Sequence, residues 1–223
     1  MELPVLFLNF KTYENGTGKK ALALGKIAEA IAKETGTSIA LVVQAADIRM
    51  LAEAVDLPIF AQHIDPVSYG SNTGKILPET VKEAGAIGTV INHAENKQDN
   101  EFVESAVRRA KEAGLIVMVC AETTQRAKEV AAFFPEFIAV EPPELIGGDI
   151  SVSTAKPEII SDSVNAVKEI NSEINLITGA GVNSTADVQK STDLGAKGVF
   201  VASKVLKSED PKKAIMELVA GLG

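Results

Sequence analysis

Several residue types are scarce in this chain, and each scarcity excludes a class of protein. Among 223 residues there is one cysteine, Cys120, which excludes an internal disulfide framework and any metal site built from several cysteines. Tryptophan is absent, and the two histidines are too few for a histidine-rich metal site. No apolar run approaches the roughly 20 residues of a membrane span, and the first residues do not resemble a secretory leader. We therefore expect no metal, no membrane segment and a reducing, cytoplasmic setting.

Basic residues are also fewer than acidic residues. Lysine and arginine number 22 against 30 aspartate and glutamate residues, for a formal net charge of -8 at pH 7. An acidic surface repels the nucleic-acid backbone, and no cluster of basic residues offsets this charge, so we expect no nucleic-acid partner. A local positive site for a small anion stays possible. With 46% hydrophobic and 23% charged residues, the composition is typical of a globular protein with a full core.

Eight short apolar runs rich in β-branched residues alternate with stretches of helical spacing. The runs lie at Val5–Phe10, Ile39–Val43, Pro58–Ala61, Thr89–Asn92, Leu115–Val119, Phe137–Val140, Asn175–Thr178 and Gly198–Val201. Their continuous apolarity is typical of parallel strands that are buried on both faces. The helical stretches are clearest at Gly18–Glu34, Asn100–Ala113, Thr123–Phe134, Lys156–Ile170, Ser184–Leu194 and Pro211–Leu222, with shorter ones at Asp47–Ala54 and Ile76–Ala84.

The number and order of these units predict an α/β fold, a compact (β/α)8 barrel that forms one domain over residues 1–223. A doubly wound open sheet is the rival architecture, and it usually carries a glycine-rich dinucleotide loop after its first strand. Here the first strand ends in Asn9-Phe10-Lys11 instead, and no G-x-G-x-x-G motif occurs. We therefore favour the barrel and expect no cofactor.

Polar side chains stand where the predicted strands end, which is where a barrel of this kind carries its chemistry. Asn9 and Lys11 close the first strand, and a spacing of two places them on one side of an extended chain. His93 follows the fourth strand, and we expect the segment after it to open a short helix. The N-terminus of such a helix would favour a neutral imidazole. A histidine packed in the core is the competing interpretation.

Glu141, at the end of the sixth strand, has the most informative surroundings. Pro142 and Pro143 stiffen the chain directly after it, and Gly147 and Gly148 free the far end of the same segment. Such a segment can move as a lid between two positions. A carboxylate at its base is well placed as a general base that works when water is excluded. A structural glutamate before an ordinary loop is the alternative.

Small residues follow the last two strands, as Gly179-Ala180-Gly181 and Ala202-Ser203. Small side chains let backbone N–H groups approach an anion, and a helix N-terminus beyond them favours negative charge. These two loops are the usual phosphate site of the barrel fold. The complete set of groups predicts proton abstraction next to a carbonyl in a small phosphorylated substrate. Cys120 has no obvious dedicated base, so we do not expect a catalytic thiol.

Together these motifs resemble the triosephosphate isomerase family, in its short archaeal form, over essentially the whole chain. The motifs that carry the resemblance are Asn9-Phe10-Lys11, Asn92-His93-Ala94-Glu95, Val140-Glu141-Pro142 with Ile146-Gly147, Gly179-Ala180-Gly181 and Ala202-Ser203. They are similar, in order, to the family's Asn-x-Lys, its His-Ser-Glu segment, its catalytic glutamate with the lid, and its two phosphate loops. Several such motifs in order, each at a predicted strand end, are far more specific than any one alone.

The resemblance implies a small phosphorylated triose as substrate and a role for each residue. Glu141 would move a proton between two substrate carbons, neutral His93 would polarise the carbonyl, and Lys11 would stabilise the enediolate. Glu95 would hold Lys11 in place, and Asn9 would help to bind the substrate oxygens. Phosphate contacts would come from Ile146, Gly181, Ala202 and Ser203, supported by Gly147, Gly179 and Ala180.

The sequence departs from the family pattern at Ala94, where a serine is common. The change removes a possible hydrogen bond to the glutamate but none of the groups that move protons, so we expect catalysis to survive. The region Gln62–Lys75 resembles a loop that docks into a neighbouring subunit, with Tyr69, Thr73 and Gly74 as contacts. The resemblance therefore implies a homo-oligomer, a tetramer or otherwise a dimer.

Two other functions stay open at this point. One is a different phosphate-binding barrel enzyme, acting on an indole or thiamin precursor, which would need a larger pocket or further acid–base residues. The other is a binding or scaffold protein with an inactive site, which Ala94 alone mildly favours. His63 is expected to be structural under each of these interpretations.

Overall fold

The structure, a computed structural model, describes residues 1–146 and 151–223. Within them, eight parallel strands close into a barrel in which each strand pairs with the next and β8 pairs with β1. The strands are β1 Val5–Asn9, β2 Ser38–Val43, β3 Ile59–Ala61, β4 Gly88–Ile91, β5 Ile116–Ala121, β6 Phe137–Val140, β7 Asn175–Gly179 and β8 Gly198–Val201. The predicted (β/α)8 barrel is confirmed, and the open sheet is excluded because a closed barrel has no edge strand.

Helices follow the strands along the chain. They are α1 Gly18–Thr35, α2 Ile48–Ala52, α3 Pro78–Glu83, α4 Asn100–Glu112, α5 Thr124–Ala131, α6 Val152–Ala155, α7 Pro157–Ile170, α8 Thr185–Asp193, α9 Ser203–Leu206 and α10 Pro211–Val219. No helix in the described part of the chain is long and apolar enough to cross a membrane. The helix predicted over Thr123–Phe134 stops early, because Phe134 adopts a φ of 58°.

Two apolar layers hold the barrel together, one inside it and one between strands and helices. Phe7 of β1 packs edge-to-face on Phe60 of β3 and on Phe137 of β6, with ring centroids 5.3 Å apart in each pair. Strands β3 and β6 are not neighbours of β1, so these contacts cross the inside of the barrel. Each such aromatic pair contributes about 0.5–1.5 kcal/mol beyond area burial. The interior of the barrel is therefore a packed core.

Side-chain caps fix where several helices begin. Ser184 and Asp187 form a reciprocal capping box at the start of α8. Asp99 accepts the N–H of Phe102 at the start of α4. Asp210 caps the first turn of α10 in the same way, and α10 begins with proline.

Candidate active site

One cavity opens at the carboxyl ends of the strands and gathers most of the predicted site residues. Those that line it are Asn9, Lys11, His93, Glu141, Ile146, Ala180, Gly181, Ala202 and Ser203. The wall also includes residues that were not singled out from the sequence, namely Tyr13, Val182, Asn183, Phe200 and Val201. Glu95 lines an adjoining groove that shares Asn9, Lys11 and His93 with the cavity. Gly147 lies outside the described residues.

Lys11 is held in an unusual backbone conformation at the end of β1. Its φ is 46°, in the left-handed region that costs a residue with a side chain about 1–2 kcal/mol. The Lys11 N–H donates to Asn9 Oδ1 at 2.9 Å, and Gln62 Nε2 donates to the Lys11 carbonyl at 2.9 Å. The Lys11 ammonium donates to Glu95 Oε1 at 2.6 Å. Gln62 thus supports the site, which the sequence interpretation missed although Gln62 directly follows β3.

His93 follows β4 in a turn rather than ahead of a short helix, so that expectation is wrong. Asn92 adopts a φ of 63° and donates its side-chain amide to the Cys120 carbonyl at 2.8 Å. Its Oδ1 accepts the Gln98 N–H at 2.8 Å, and the Asn96 N–H closes the turn on the His93 carbonyl at 2.7 Å. These bonds occupy the backbone groups that a helix would use, and the next helix starts only at Asn100.

The hydrogen bonds of His93 define which nitrogen carries its proton when the ring is neutral. The Glu95 N–H donates to Nδ1 at 3.2 Å, so Nδ1 must be an acceptor and the proton of the neutral ring lies on Nε2. The Phe200 ring supports the imidazole edge-to-face, with centroids 6.0 Å apart. A backbone amide, and no helix N-terminus, therefore contacts the imidazole and selects the tautomer of its neutral form. Nε2 lies 3.6 Å from Glu141 Oε1.

Glu141 is buried, with 5% of its surface exposed, and stands at the end of β6. Its N–H continues the sheet by donating to the Ala121 carbonyl at 2.9 Å. Its Oε2 has no hydrogen-bond partner among residues 1–146 and 151–223. The Cys120 thiol lies nearby, and burial first, then the charge of Glu141, raise the pKa of that thiol well above its usual value. The thiol is therefore protonated at neutral pH, which argues against a nucleophilic role.

The expected phosphate side of the cavity is built from backbone rather than from charged side chains. Ala180 and Gly181 both have positive φ, 79° and 70°, and the Ala180 carbonyl accepts the Val152 N–H at 3.3 Å. The N-terminus of α8 is engaged by its own Asp187, whose Oδ2 accepts the N–H groups of Asn183 at 3.2 Å and Ser184 at 3.0 Å. We expected a helix N-terminus beyond each of the two loops to favour an anion. The N-terminus of α8 is already engaged by a carboxylate of the chain itself.

A carboxylate, an imidazole and an ammonium group facing one cavity give the means to move protons on a small anionic substrate. The fold and the site thus define a barrel enzyme of the acid–base class. The family profile described as triosephosphate isomerase matches residues 4–220. The chain belongs to the triosephosphate isomerase family, and it is accordingly an aldose–ketose isomerase.

Individual relatives agree with this assignment. The triosephosphate isomerase of Methanobacterium bryantii is 44% identical over 219 residues, which cover 98% of this chain and 97% of that protein. The enzyme of Methanocaldococcus jannaschii is 43% identical over 215 residues, 96% of this chain and 98% of that protein. The crystal structure of triosephosphate isomerase from Bartonella henselae superposes with a TM-score of 0.74 at 21% identity, covering 95% of this chain and 97% of that one. This last likeness supports the fold.

Proposed function

We propose that one barrel domain interconverts dihydroxyacetone phosphate and D-glyceraldehyde 3-phosphate through an enediolate, as a step of glycolysis and gluconeogenesis. Glu141 is the base that carries a proton between the two substrate carbons. His93 is the neutral electrophile, Lys11 stabilises negative charge, and Asn9 helps to bind the substrate oxygens. The observation that carries the proposal is the 3.6 Å separation of Glu141 Oε1 and His93 Nε2 across one cavity.

In this proposal, Glu141 moves the carbon-bound proton and His93 acts on the substrate oxygens. The Glu141 carboxylate is almost fully buried, so few water molecules compete with the substrate for it. The Nε2–H of His93 donates to the substrate carbonyl, which stabilises the oxygen as it gains negative charge. Because Nδ1 accepts the Glu95 N–H, the ring exchanges protons with the substrate oxygens through Nε2.

Lys11 supplies the positive charge of the cavity wall. Its side chain is largely buried, at 15% exposure, so its attraction for the enediolate is less screened than on an open surface. Glu95 limits the positions that the ammonium group can take, and the bonds from Asn9 and Gln62 fix the backbone beneath it. The substrate phosphate is bound by backbone groups of Ile146, Gly181, Ala202 and Ser203, with Ala180 and Gly179 shaping the loop and Gly147 contributing to the segment that covers the substrate.

The test of this proposal is turnover of dihydroxyacetone phosphate, coupled to a dehydrogenase that consumes glyceraldehyde 3-phosphate. Glu141→Gln keeps the size of the side chain and removes its basicity, so we expect kcat to fall by orders of magnitude with the thermal unfolding transition unchanged. Glu122→Gln, on the neighbouring loop, is the matched control and should keep wild-type turnover. Near-full activity in Glu141→Gln would refute the assigned base, and an inactive, folded wild type would refute the reaction.

We further propose a homo-oligomer, a tetramer or otherwise a dimer, assembled through the loop after β3. Tyr69 in this loop is 76% exposed, which is unusual for a large aromatic side chain. Asp65 braces the loop by accepting the Ile76 N–H at 2.8 Å and the Lys75 ammonium at 3.1 Å. Light scattering after size exclusion should give a multimer for the wild type and a smaller species for Tyr69→Glu. A wild-type monomer would contradict the proposal.

A further inference from the structure

The phosphate side of the cavity offers little positive charge to the group that it is proposed to bind. A phosphate ester carries a charge of about -1.5 to -2 at pH 7. The N-terminus of α8, which could attract this charge, is engaged by Asp187. Among the residues that the structure describes, those that line this side have no ionised side chain, and they are Gly181, Val182, Asn183, Ala202 and Ser203.

The charged groups on the other side of the cavity do not attract an anion from a distance. Lys11 donates to Glu95 Oε1 at 2.6 Å, so the two charges of this pair largely offset each other for an approaching molecule. Glu141, as the base, adds a negative charge, and the whole chain has a formal net charge of -8 at pH 7. An approaching phosphate group therefore needs a further positive charge near the mouth of the cavity.

Lys207 is a lysine beside this wall, and it has no carboxylate partner among residues 1–146 and 151–223. Its N–H donates to the Ser203 carbonyl at 3.0 Å, which places Lys207 one helical turn beyond a residue of the wall. Its ammonium lies 5.6 Å from the centre of the Tyr13 ring, and Tyr13 lines the same cavity. Lys204, in the same turn, is instead paired with Glu217 at 2.9 Å. Lys207 is thus the lysine of this segment whose charge is not offset.

Tyr13 gives the ammonium group of Lys207 a fixed support. The Tyr13 N–H donates to the Phe10 carbonyl at 3.3 Å, and the Tyr13 carbonyl accepts the Thr17 hydroxyl at 2.9 Å. The face of an aromatic ring attracts a cation, so the exposed Lys207 side chain is drawn to the cavity wall near the end of β1. Lys207 does not itself line the cavity, so its charge acts on the substrate through space.

We propose that Lys207 is a specificity-determining residue, whose positive charge draws the doubly ionised phosphate of the substrate to the loop at Ala202 and Ser203. The inference rests on the proposed isomerisation of a phosphorylated triose. Lys207 takes no part in proton transfer, so its loss changes the capture of the substrate and leaves the chemical step as it is. Because the side chain is exposed, salt screens its field over about 10 Å at 0.1 M ionic strength.

The experiment measures kcat, KM and the inhibition constant of inorganic phosphate at ionic strengths of about 0.02 M and about 0.3 M. For Lys207→Gln at the lower ionic strength, we expect kcat/KM to fall about threefold to fivefold and the inhibition constant to rise by a similar factor, with kcat nearly unchanged. At the higher ionic strength both differences should largely disappear. Lys207→Arg keeps the charge and can stack on the ring of Tyr13, so it should behave as wild type.

Lys197→Gln is the matched control for the loss of one positive charge. Lys197 is exposed and directly precedes β8, at the end of the barrel opposite the cavity. Its replacement changes the net charge by the same amount and should leave kcat/KM and phosphate inhibition at the wild-type values. An equal loss in Lys197→Gln and Lys207→Gln would overturn the inference, because net charge alone would then explain it.

Two further results would overturn the inference. One is wild-type kcat/KM and phosphate inhibition in Lys207→Gln at low ionic strength, and the other is a loss that stays the same when salt is added. An inactive, folded wild type would remove the proposed reaction and this inference with it. An active wild type with unaffected Lys207→Gln would remove the inference alone.

Discussion

Gly179 lies directly against Glu141, so closely that a methyl group at position 179 would fall 2.5 Å from Glu141 Cγ and 2.9 Å from its Oε1. The strand register accounts for this contact, since Val140 is paired with Thr178 and the two next residues follow side by side. Gly179 has no positive φ, so its lack of a side chain, rather than backbone freedom, is what the site uses. We predict that Gly179→Ala displaces the carboxylate and lowers kcat about 100-fold, because errors of about 1 Å in a catalytic group have effects of that size.

The matched control for this prediction is Gly221→Ala. A methyl group there would fall 2.5 Å from the Thr185 carbonyl and 2.7 Å from Val188 Cβ, and none of these residues lines the cavity. It should lower the unfolding temperature without changing kcat. Steady-state kinetics and thermal unfolding of both variants decide the matter. If Gly179→Ala kept kcat within about threefold of wild type, the carboxylate would have another position of equal reactivity.

Ala180 adopts a strained backbone conformation beside the expected phosphate position, with a φ of 79°. Replacing it with glycine relieves a strain of about 1–2 kcal/mol but adds freedom to the unfolded chain, so we predict a gain in unfolding free energy of about 1 kcal/mol or less. The loop would also lose its single preferred conformation, and inhibition by inorganic phosphate should weaken about threefold. Urea denaturation and inhibition kinetics measure the two effects.

Phe134 provides the comparison for this variant, because it too is a non-glycine residue with positive φ, at 58°, and it is exposed. Phe134→Gly should remove backbone strain and leave phosphate inhibition at the wild-type value. Unchanged phosphate inhibition in Ala180→Gly would show that the strained backbone at position 180 does not contribute to anion binding.

The architecture could be predicted from the sequence because its signals are local. Apolar runs bounded by polar loops identify each strand, and all eight observed strands fall within about two residues of the predicted ones. The errors have local causes as well. The predicted helical stretch begins at Lys156, yet Pro157 disfavours helical geometry for the residue before it, and Lys156 has φ -146° and ψ 60°.

Contacts between strands were much less predictable than the strands themselves. The site residues at strand ends were recognisable one by one, but the support of Lys11 by Gln62 joins positions far apart in the chain. The contact between Cys120 and Glu141 likewise depends on the register of β5 against β6, which hydrophobic periodicity does not encode. By contrast, the loss of a possible hydrogen bond to the glutamate at Ala94 was predicted from the sequence alone, and Glu141 Oε2 has no partner among residues 1–146 and 151–223.

The pair between Lys11 and Glu95 gives a prediction that separates positioning from stability. Glu95 is 59% exposed at its side chain, so the pair adds little to the free energy of unfolding, about 1 kcal/mol at most. Glu95→Gln keeps an oxygen for the ammonium group and removes the charge. We predict that kcat/KM falls about tenfold with an unchanged unfolding temperature, because Lys11 then samples more positions. Glu14→Gln breaks the exposed pair with Lys20 and should leave kcat/KM unchanged. A wild-type kcat/KM in Glu95→Gln would show that the backbone bonds alone hold Lys11.

His63 carries the prediction about pH. Its ring stacks on Phe102 with centroids 5.7 Å apart and lies 3.2 Å from the Asn96 side-chain amide. Burial lowers the pKa of His63 below its usual value of 6.5, more than the nearby Asp65 raises it, and Lys75 lowers it further. The folded state therefore binds a proton less readily than the unfolded state. Stability from this group is present above about pH 6.5 and is lost as the pH falls towards the folded-state pKa.

We predict that the free energy of unfolding, measured by urea denaturation at about pH 7.5 and about pH 5.5, falls less in His63→Gln than in wild type. Glutamine keeps an amide for Asn96 and cannot titrate in this range. The pKa of Asp65 is lowered from 3.8, so the stability lost by protonating Asp65 appears below this window and does not enter the comparison. His93 is present in both proteins, and its contribution cancels. Equal slopes in the two proteins would mean that His63 takes up its proton in the folded loop as easily as in the unfolded chain.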